Sequence, residues 1–207
     1  MSKTVYLNTP LSADDVNALE LDDVVFLSGT AFTMMYPSHF TQVMDLLDRG
    51  SEPPFPLRNN AIYHTGTIFC RKDDGTYDFR AIGTTTSSKF NAFMPEFIRK
   101  TGIRAVIGKG GLDEHTLAAM KECGCVYLSA VCGCTSIYTP GVEALEREFW
   151  PQPSWADNLL QLKLNQLGPL FVTMDCKGGS IFSQITDQAQ KNLPEVYNCL
   201  RLLSPQI

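Results

Sequence analysis

The chain has 207 residues, 44% of them hydrophobic and 19% charged, with a formal net charge of -5 and an isoelectric point near 5.2. That length and apolar content suffice for one substantial buried core, and the acidic balance argues against a nucleic-acid or anionic-membrane surface. A basic tail, a twin-arginine signal and a long apolar span are all missing, and the opening apolar stretch is cut short by Asn8, Thr9 and Pro10, so the chain is expected in the cytoplasm.

In chain order, Leu11–Leu19 opens with an N-cap serine, Ser12, and an acidic first turn, which predicts a helix. Asp23–Leu27 reads as a buried strand ending at Gly29, and a helix is predicted from Ser38 to Asp48 with His39 in its first turn. Glu52–Pro56 is a loop. Ala61–His64 and Thr67–Arg71 read as strands, and Lys72–Gly75 is a hairpin signal leading into Thr76–Ile82. Helices are predicted over Ala92–Thr101, Asp113–Cys123 and Val142–Phe149, with a strand at Leu170–Met174. The stretch from Gln184 to Leu203 reads as helical with a break near Pro194. With no internal repeat or low-complexity linker, one domain is expected: an α/β fold with a mixed or parallel sheet plus an antiparallel one.

Seven cysteines and no export signal suggest reduced thiols. Cys123-Gly-Cys125 and Cys132-Gly-Cys134 flank the apolar stretch Val126–Val131 and leave open a convergence of four thiolates. Zinc and iron–sulfur sites favour two residues between paired cysteines, however, so these cysteines read as small buried hydrophobes and no metal is expected on this chain.

The densest chemistry lies in Gly83-Thr-Thr-Thr-Ser-Ser-Lys89 and Val106-Ile-Gly-Lys-Gly-Gly111. Hydroxyls, backbone N–H groups and two lysines are gathered there with little bulk, as a small carboxylate requires. Both follow apolar runs, Arg80–Gly83 and Ile103–Gly108, so two strand ends can share one anion. The alternative is an ordinary Ser/Thr turn capping a helix near Asn91, followed by a plain glycine loop. The glycine spacings of mononucleotide and dinucleotide sites are absent.

Together with Leu27-Ser-Gly-Thr30, His39, Ile62-Tyr-His-Thr-Gly66, Cys132-Gly-Cys134 and Leu167-Gly-Pro-Leu170, these segments resemble the C-terminal domain, or separate β subunit, of iron–sulfur class I fumarate hydratases, including L(+)-tartrate dehydratase. The resemblance spans nearly the whole chain and implies a single β-subunit-like domain over residues 1–207, with a swivelling β/β/α three-layer fold. It implies a hydro-lyase acting on malate, tartrate or a related small hydroxy-acid. It also implies a 4Fe-4S cluster carried by a partner α subunit, whose iron is the Lewis acid, in a hetero-oligomer or homodimer. On the matching motifs Thr85 falls on the catalytic threonine, with Lys89, Lys109, His39, Thr86 and Gly110 as substrate contacts. His64 is assigned to structure and His115 to a helix surface.

The departures from the family pattern fall at the same places. Met35-Tyr36 stands where the family has Arg-Asp, Lys89 where it has Arg, Thr84 for Pro and Phe90 for Met. Lys89 keeps the charge and loses the bidentate fork, and Tyr36 can supply one hydrogen bond in place of the missing guanidinium. Besides an active β subunit, two other readings are open: a carboxylate-binding paralogue without turnover, and a thiol-rich metal-binding module.

Overall fold

The computed structural model describes residues 2–74, 77–150 and 158–203. Short aliphatic runs form five parallel strands: β1 (Thr4–Asn8), β2 (Val24–Thr33), β3 (Ala61–Tyr63), β6 (Ala105–Gly108) and β7 (Val126–Ala130). The antiparallel strands β8 (Val142–Phe149) and β9 (Leu159–Met174) complete a seven-stranded mixed sheet in the order β1-β2-β3-β6-β7-β9-β8. β9 also pairs with β2, so the hydrogen bonding runs from β2 through β3, β6, β7 and β9 and returns to β2. A separate antiparallel hairpin holds β4 (Thr65–Arg71) and β5 (Tyr77–Thr84).

Side chains alternate across a strand, and here both faces are buried. Ala61, Tyr63, Ala105, Ile107, Val126 and Leu128 join one apolar cluster with Leu162 and Leu170 of β9. Their neighbours Ile62, Val106 and Tyr127 point into a second cluster. There they meet Phe40 of α2 (Pro37–Asp48), Phe97 of α3 (Met94–Thr101) and Met120 of α4 (Glu114–Cys123). This two-sided burial is why the strands read as continuous apolar runs.

Local signals set the helix ends. In α1 (Ala13–Asn17) the Ser12 side chain accepts from the Asp15 N–H and the Asp15 carboxylate accepts from the Ser12 N–H. Asp113 caps α4 through the Thr116 N–H at 2.9 Å, and Gly124 ends it in the left-handed conformation. Gly124 thereby explains the first Cys-Gly-Cys pair as a helix stop. The second pair follows β7 at its other end, seven residues on, roughly 20 Å away along an extended chain. The four thiols therefore do not converge, and among the described residues no group of three or more His, Cys, Asp or Glu is arranged to hold a metal.

Two predicted helical features are corrected. Val142–Phe149 is strand β8, although Glu, Ala, Leu and Arg favour helix. β9 overrides that preference by pairing along the segment from Val142↔Leu164 to Phe149↔Leu159. Cross-strand partners fix the register: Lys163 to Glu143 at 2.6 Å, Gln161 to Glu146 at 2.7 Å and Asn158 to Glu148 at 2.9 Å. The break near Pro194 is also absent, because α5 (Ile181–Leu203) runs through it. Its residues 184–200 are exposed, so water can take up the carbonyl that the proline leaves unbonded. Among the described residues no helix is long and apolar enough to cross a membrane.

Tyr138 ties the end of β7 to β9: its hydroxyl accepts from the Val131 N–H at 2.6 Å and donates to the Pro169 carbonyl at 2.9 Å, in a fully buried position. Tyr138→Phe is expected to lose about 1–3 kcal/mol of unfolding free energy in a urea titration, since the Val131 N–H and the Pro169 carbonyl both lose the hydroxyl they bond to.

Candidate functional site

The parallel strands deliver their C-terminal ends to one rim, where α/β sheets place their ligands. β2 runs into Met34–Tyr36, β3 into His64 and β6 into Lys109–Gly111. Beyond the regular sheet the ladder continues: the Met34 N–H donates to the Tyr63 carbonyl and the His64 N–H to the Ile107 carbonyl, at 2.9 and 2.8 Å. The segment after β5 then threads between the ends of β3 and β6. The Thr85 N–H donates to the His64 carbonyl at 2.7 Å, Thr86 forms a parallel bridge with Lys109, and the Ser87 N–H donates to the Lys109 carbonyl at 2.9 Å. Bridge partners in adjacent strands lie about 4.8 Å apart. The two motifs singled out in the sequence are therefore main-chain neighbours.

Thr85, Thr86 and Lys109 are half-buried at this rim, and Gly110 is exposed. Gly110 has φ +77°, and a Cβ built on it would meet the Thr86 methyl at 3.4 Å. Lys89 is exposed on the short 3-10 turn Ser87–Phe90. His39 is buried in the first turn of α2, where its Nδ1 accepts the Met35 N–H at 3.3 Å and its ring stands edge-on to Tyr36. The backbone thus brings Thr85, Thr86, Lys109 and Gly110 together, whereas His39 is held by its own strand-to-helix turn.

Beneath the rim lies a buried polar chain that sequence reasoning missed. Ser87 Oγ is 2.9 Å from His64 Nδ1 and accepts the Tyr127 hydroxyl at 2.7 Å, all three residues being fully buried. Besides the Tyr127 bond, Ser87 Oγ has both a hydrogen to give and a lone pair to offer, so the tautomer of His64 sets the direction of its bond to Nδ1, and the second ring nitrogen is Nε2. That Nε2 has no partner among the described residues, and the ring is packed between Phe40 and Phe90. Burial pushes the His64 pKa down to about 3, so the ring is neutral at physiological pH, and burial likewise raises the Tyr127 phenol. A tyrosine inside a five-residue buried strand was the available signal, because its hydroxyl has to find a partner.

Glycine makes room for this chain. A Cβ on Gly108 would fall 1.9 Å from Ser87 Oγ and 2.7 Å from the Tyr127 hydroxyl oxygen. A Cβ on Gly111 would fall 2.5 Å from the Phe182 ring at the start of α5. Thr84, where the resembled motif has proline, shares a hydrogen bond of 2.8 Å with the Tyr63 hydroxyl. A cavity of about 440 Å³ lined by Phe55, Arg58 and Lys100 sits at the opposite end of β3 and β6 and carries none of these residues.

Hydroxyls and lysines thus gather at the carboxyl ends of parallel strands in a mixed α/β protein, the place where such sheets bind ligands. The chain belongs to the Fumarase C-terminus family, whose profile matches residues 1–185. It is 31% identical over 197 residues to a Methanocaldococcus jannaschii protein assigned by name to the L(+)-tartrate dehydratase β subunit, covering 92% of this chain and 97% of that one. The L(+)-tartrate dehydratase subunit beta of Escherichia coli K12 is 29% identical over 178 residues, 86% of either chain. A Geobacillus stearothermophilus protein assigned by name to class I fumarate hydratase is 31% identical over 198 residues, 93% of this chain and 36% of that protein. Such enzymes imply an iron–sulfur cluster. The described thiols do not fit one: Cys125 is buried with its thiol pushed up by burial, while Cys132 and Cys134 are exposed at the far end of β7.

Two measurements check the buried chain. His64 is protonated more readily when unfolded, so its contribution is complete above the ordinary pKa of 6.5 and is lost as pH falls toward about 3. Unfolding free energy is expected to fall by up to about 1.4 kcal/mol per pH unit from this group between pH 6 and 4, a slope that His64→Gln removes. Gly108→Ala is expected to destabilise by about 2 kcal/mol or more in the same assay, because the methyl displaces Ser87 or Tyr127.

Proposed function

We propose that this chain is the β subunit of a hydro-lyase that reversibly dehydrates a small hydroxy-dicarboxylic acid such as malate or tartrate, working with an α subunit that carries the 4Fe-4S cluster. The observation that supports this reading is the Thr86↔Lys109 bridge, which joins the segment carrying Thr85 to the segment carrying Lys109 at the sheet rim. Membership of the family and the β-subunit names of its relatives support it. Residues 1–207 act as one unit in the cytoplasm, as a swivelling β/β/α three-layer domain that docks on its partner.

This chain's share of the chemistry is pose and proton. Lys109 neutralises one substrate carboxylate, Lys89 meets the second, and Gly110 and Thr86 admit the acid close to the backbone. Thr85 takes the proton from the carbon next to a carboxylate. A threonine hydroxyl is a weak base, so the lysine charge and the surrounding backbone donors have to stabilise its alkoxide. His39 orients the Met34–Tyr36 turn through the Met35 N–H. No step is routed through thiols of this chain.

A second reading, a carboxylate-binding paralogue without turnover, is favoured by one observation. At the position of the family's arginine, Met35 packs its sulfur over Gly66, 2.7 Å from where a Cβ would stand. A thioether thus stands where the family has a guanidinium. The two readings divide on turnover by the pair assembled with the cluster-bearing α subunit: binding of malate or tartrate without dehydration selects the second.

In the active pair, Thr85→Ala is expected to lower kcat by about a hundredfold or more with subunit assembly intact. Lys109→Ala is expected to raise KM as well as lower kcat, because it removes binding energy along with transition-state charge stabilisation. Unchanged turnover in Thr85→Ala removes the proposed base. Lys89→Arg is expected to tighten dicarboxylate inhibition, since it restores a bidentate donor.

A further inference from the structure

Helix α5 is anchored at its start. Phe182 packs on Gly111 and lies edge-on to Tyr127, with ring centroids 6.4 Å apart, and Ser180 bridges to Met174. Residues 183–200 are exposed, and 18 residues of helix extend about 27 Å. Most of α5 also lies past residue 185, where the match to the family ends.

Its exposed surface is not that of a solvated helix. Ile185, Leu193, Val196, Tyr197 and Leu200 are 62, 44, 48, 59 and 54% exposed. Thr186, Ala189, Leu193, Val196 and Leu200 follow the alternating spacing of three and four residues that defines the a and d positions of a heptad. Ile185, Gln190, Asn192, Tyr197 and Cys199 fill the flanking positions. The charged residues Asp187, Lys191 and Glu195, and Pro194, all fall on the opposite face. An isolated helix of this length is marginal in water, and a charge-free seam of this width is a packing surface.

We infer that α5 is a self-association seam that pairs antiparallel with α5 of a second copy of this chain. The seam itself selects that occupant. It is thin at its beginning, with Thr186 and Ala189, and bulky toward its end, with Leu193, Val196 and Leu200. In an antiparallel pair each a position faces a d position of the other helix, so Leu193 meets Val196 and Ala189 meets Leu200, thin against bulky along the overlap. A parallel pair would stack Ala189 on Ala189 and leave a gap. The arrangement is two-fold and self-complementary, which closes at a dimer. Pro194 faces outward, where it does not obstruct the seam. The inference is independent of the chemistry assigned to the rim.

The test is sedimentation equilibrium of the full chain and of two variants, Leu193→Lys and Val196→Glu. Both positions are exposed, so the fold is expected to survive, which circular dichroism checks. The wild-type chain is expected at twice the monomer mass. Each variant alone buries an unpaired charge in the seam, which is expected to weaken association by about a hundredfold or more. Mixing the two variants is expected to restore the dimer, because the introduced lysine of one copy then faces the introduced glutamate of the other, while the native Val196 faces the native Leu193. A parallel pair gives no such rescue. A monomeric wild-type chain, variants that remain dimeric, or a mixture that stays monomeric overturns the inference. So does a wild-type chain whose seam is needed only to bind the α subunit.

Discussion

Three main-chain contacts hold the rim of this molecule in place: Thr85 to His64, Ser87 to Lys109, and the bridge between Thr86 and Lys109. They extend the parallel ladder past the last regular residues of β3 and β6 with a segment from neither strand. The strands supply fixed ends and the inserted segment supplies hydroxyls. Because the contacts are backbone to backbone, they fix register without using the side chains of Thr85, Thr86 or Lys109. A site built this way tolerates changes in its side chains more readily than in its glycines.

The buried chain of Tyr127, Ser87 and His64 secures the inserted segment from below. Polar groups inside an apolar core are destabilising unless satisfied, and one nitrogen of His64 is left unsatisfied among the described residues. The neutral state of the ring limits that cost. The same core explains the departure at position 90, where Phe90 fills the space between Phe40 and His64 with ring contacts of 4.9 and 4.7 Å.

Much of this was legible in the sequence because it rested on local signals. The Ser12 cap and the glycine stops mark chain reversals by their own stereochemistry, and the apolar runs could only be buried strands. The two rim motifs stood out through their resemblance to a family pattern rather than through spacing alone, which fits an ordinary Ser/Thr turn and a glycine loop equally well. What escaped was set by distant partners. Val142–Phe149 carries helix-forming residues, and only β9, placed against it by the remainder of the sheet, makes it a strand. β2 and β9 proved longer than expected because their mutual pairing extends both. His39 was picked out by its motif, whereas the hydrogen bond that its Nδ1 accepts from the Met35 N–H becomes evident only once the chain is folded.

The contact between Phe182 and Gly111 joins two regions otherwise far apart in the chain. Gly111 belongs to the loop that presents Lys109, and Phe182 is the second residue of the long terminal helix. A tug or tilt on that helix reaches the lysine loop through one aromatic ring pressed on a residue with no side chain to yield. Whatever grips the far end of the rod therefore holds a lever whose fulcrum stands next to the loop that carries Lys109.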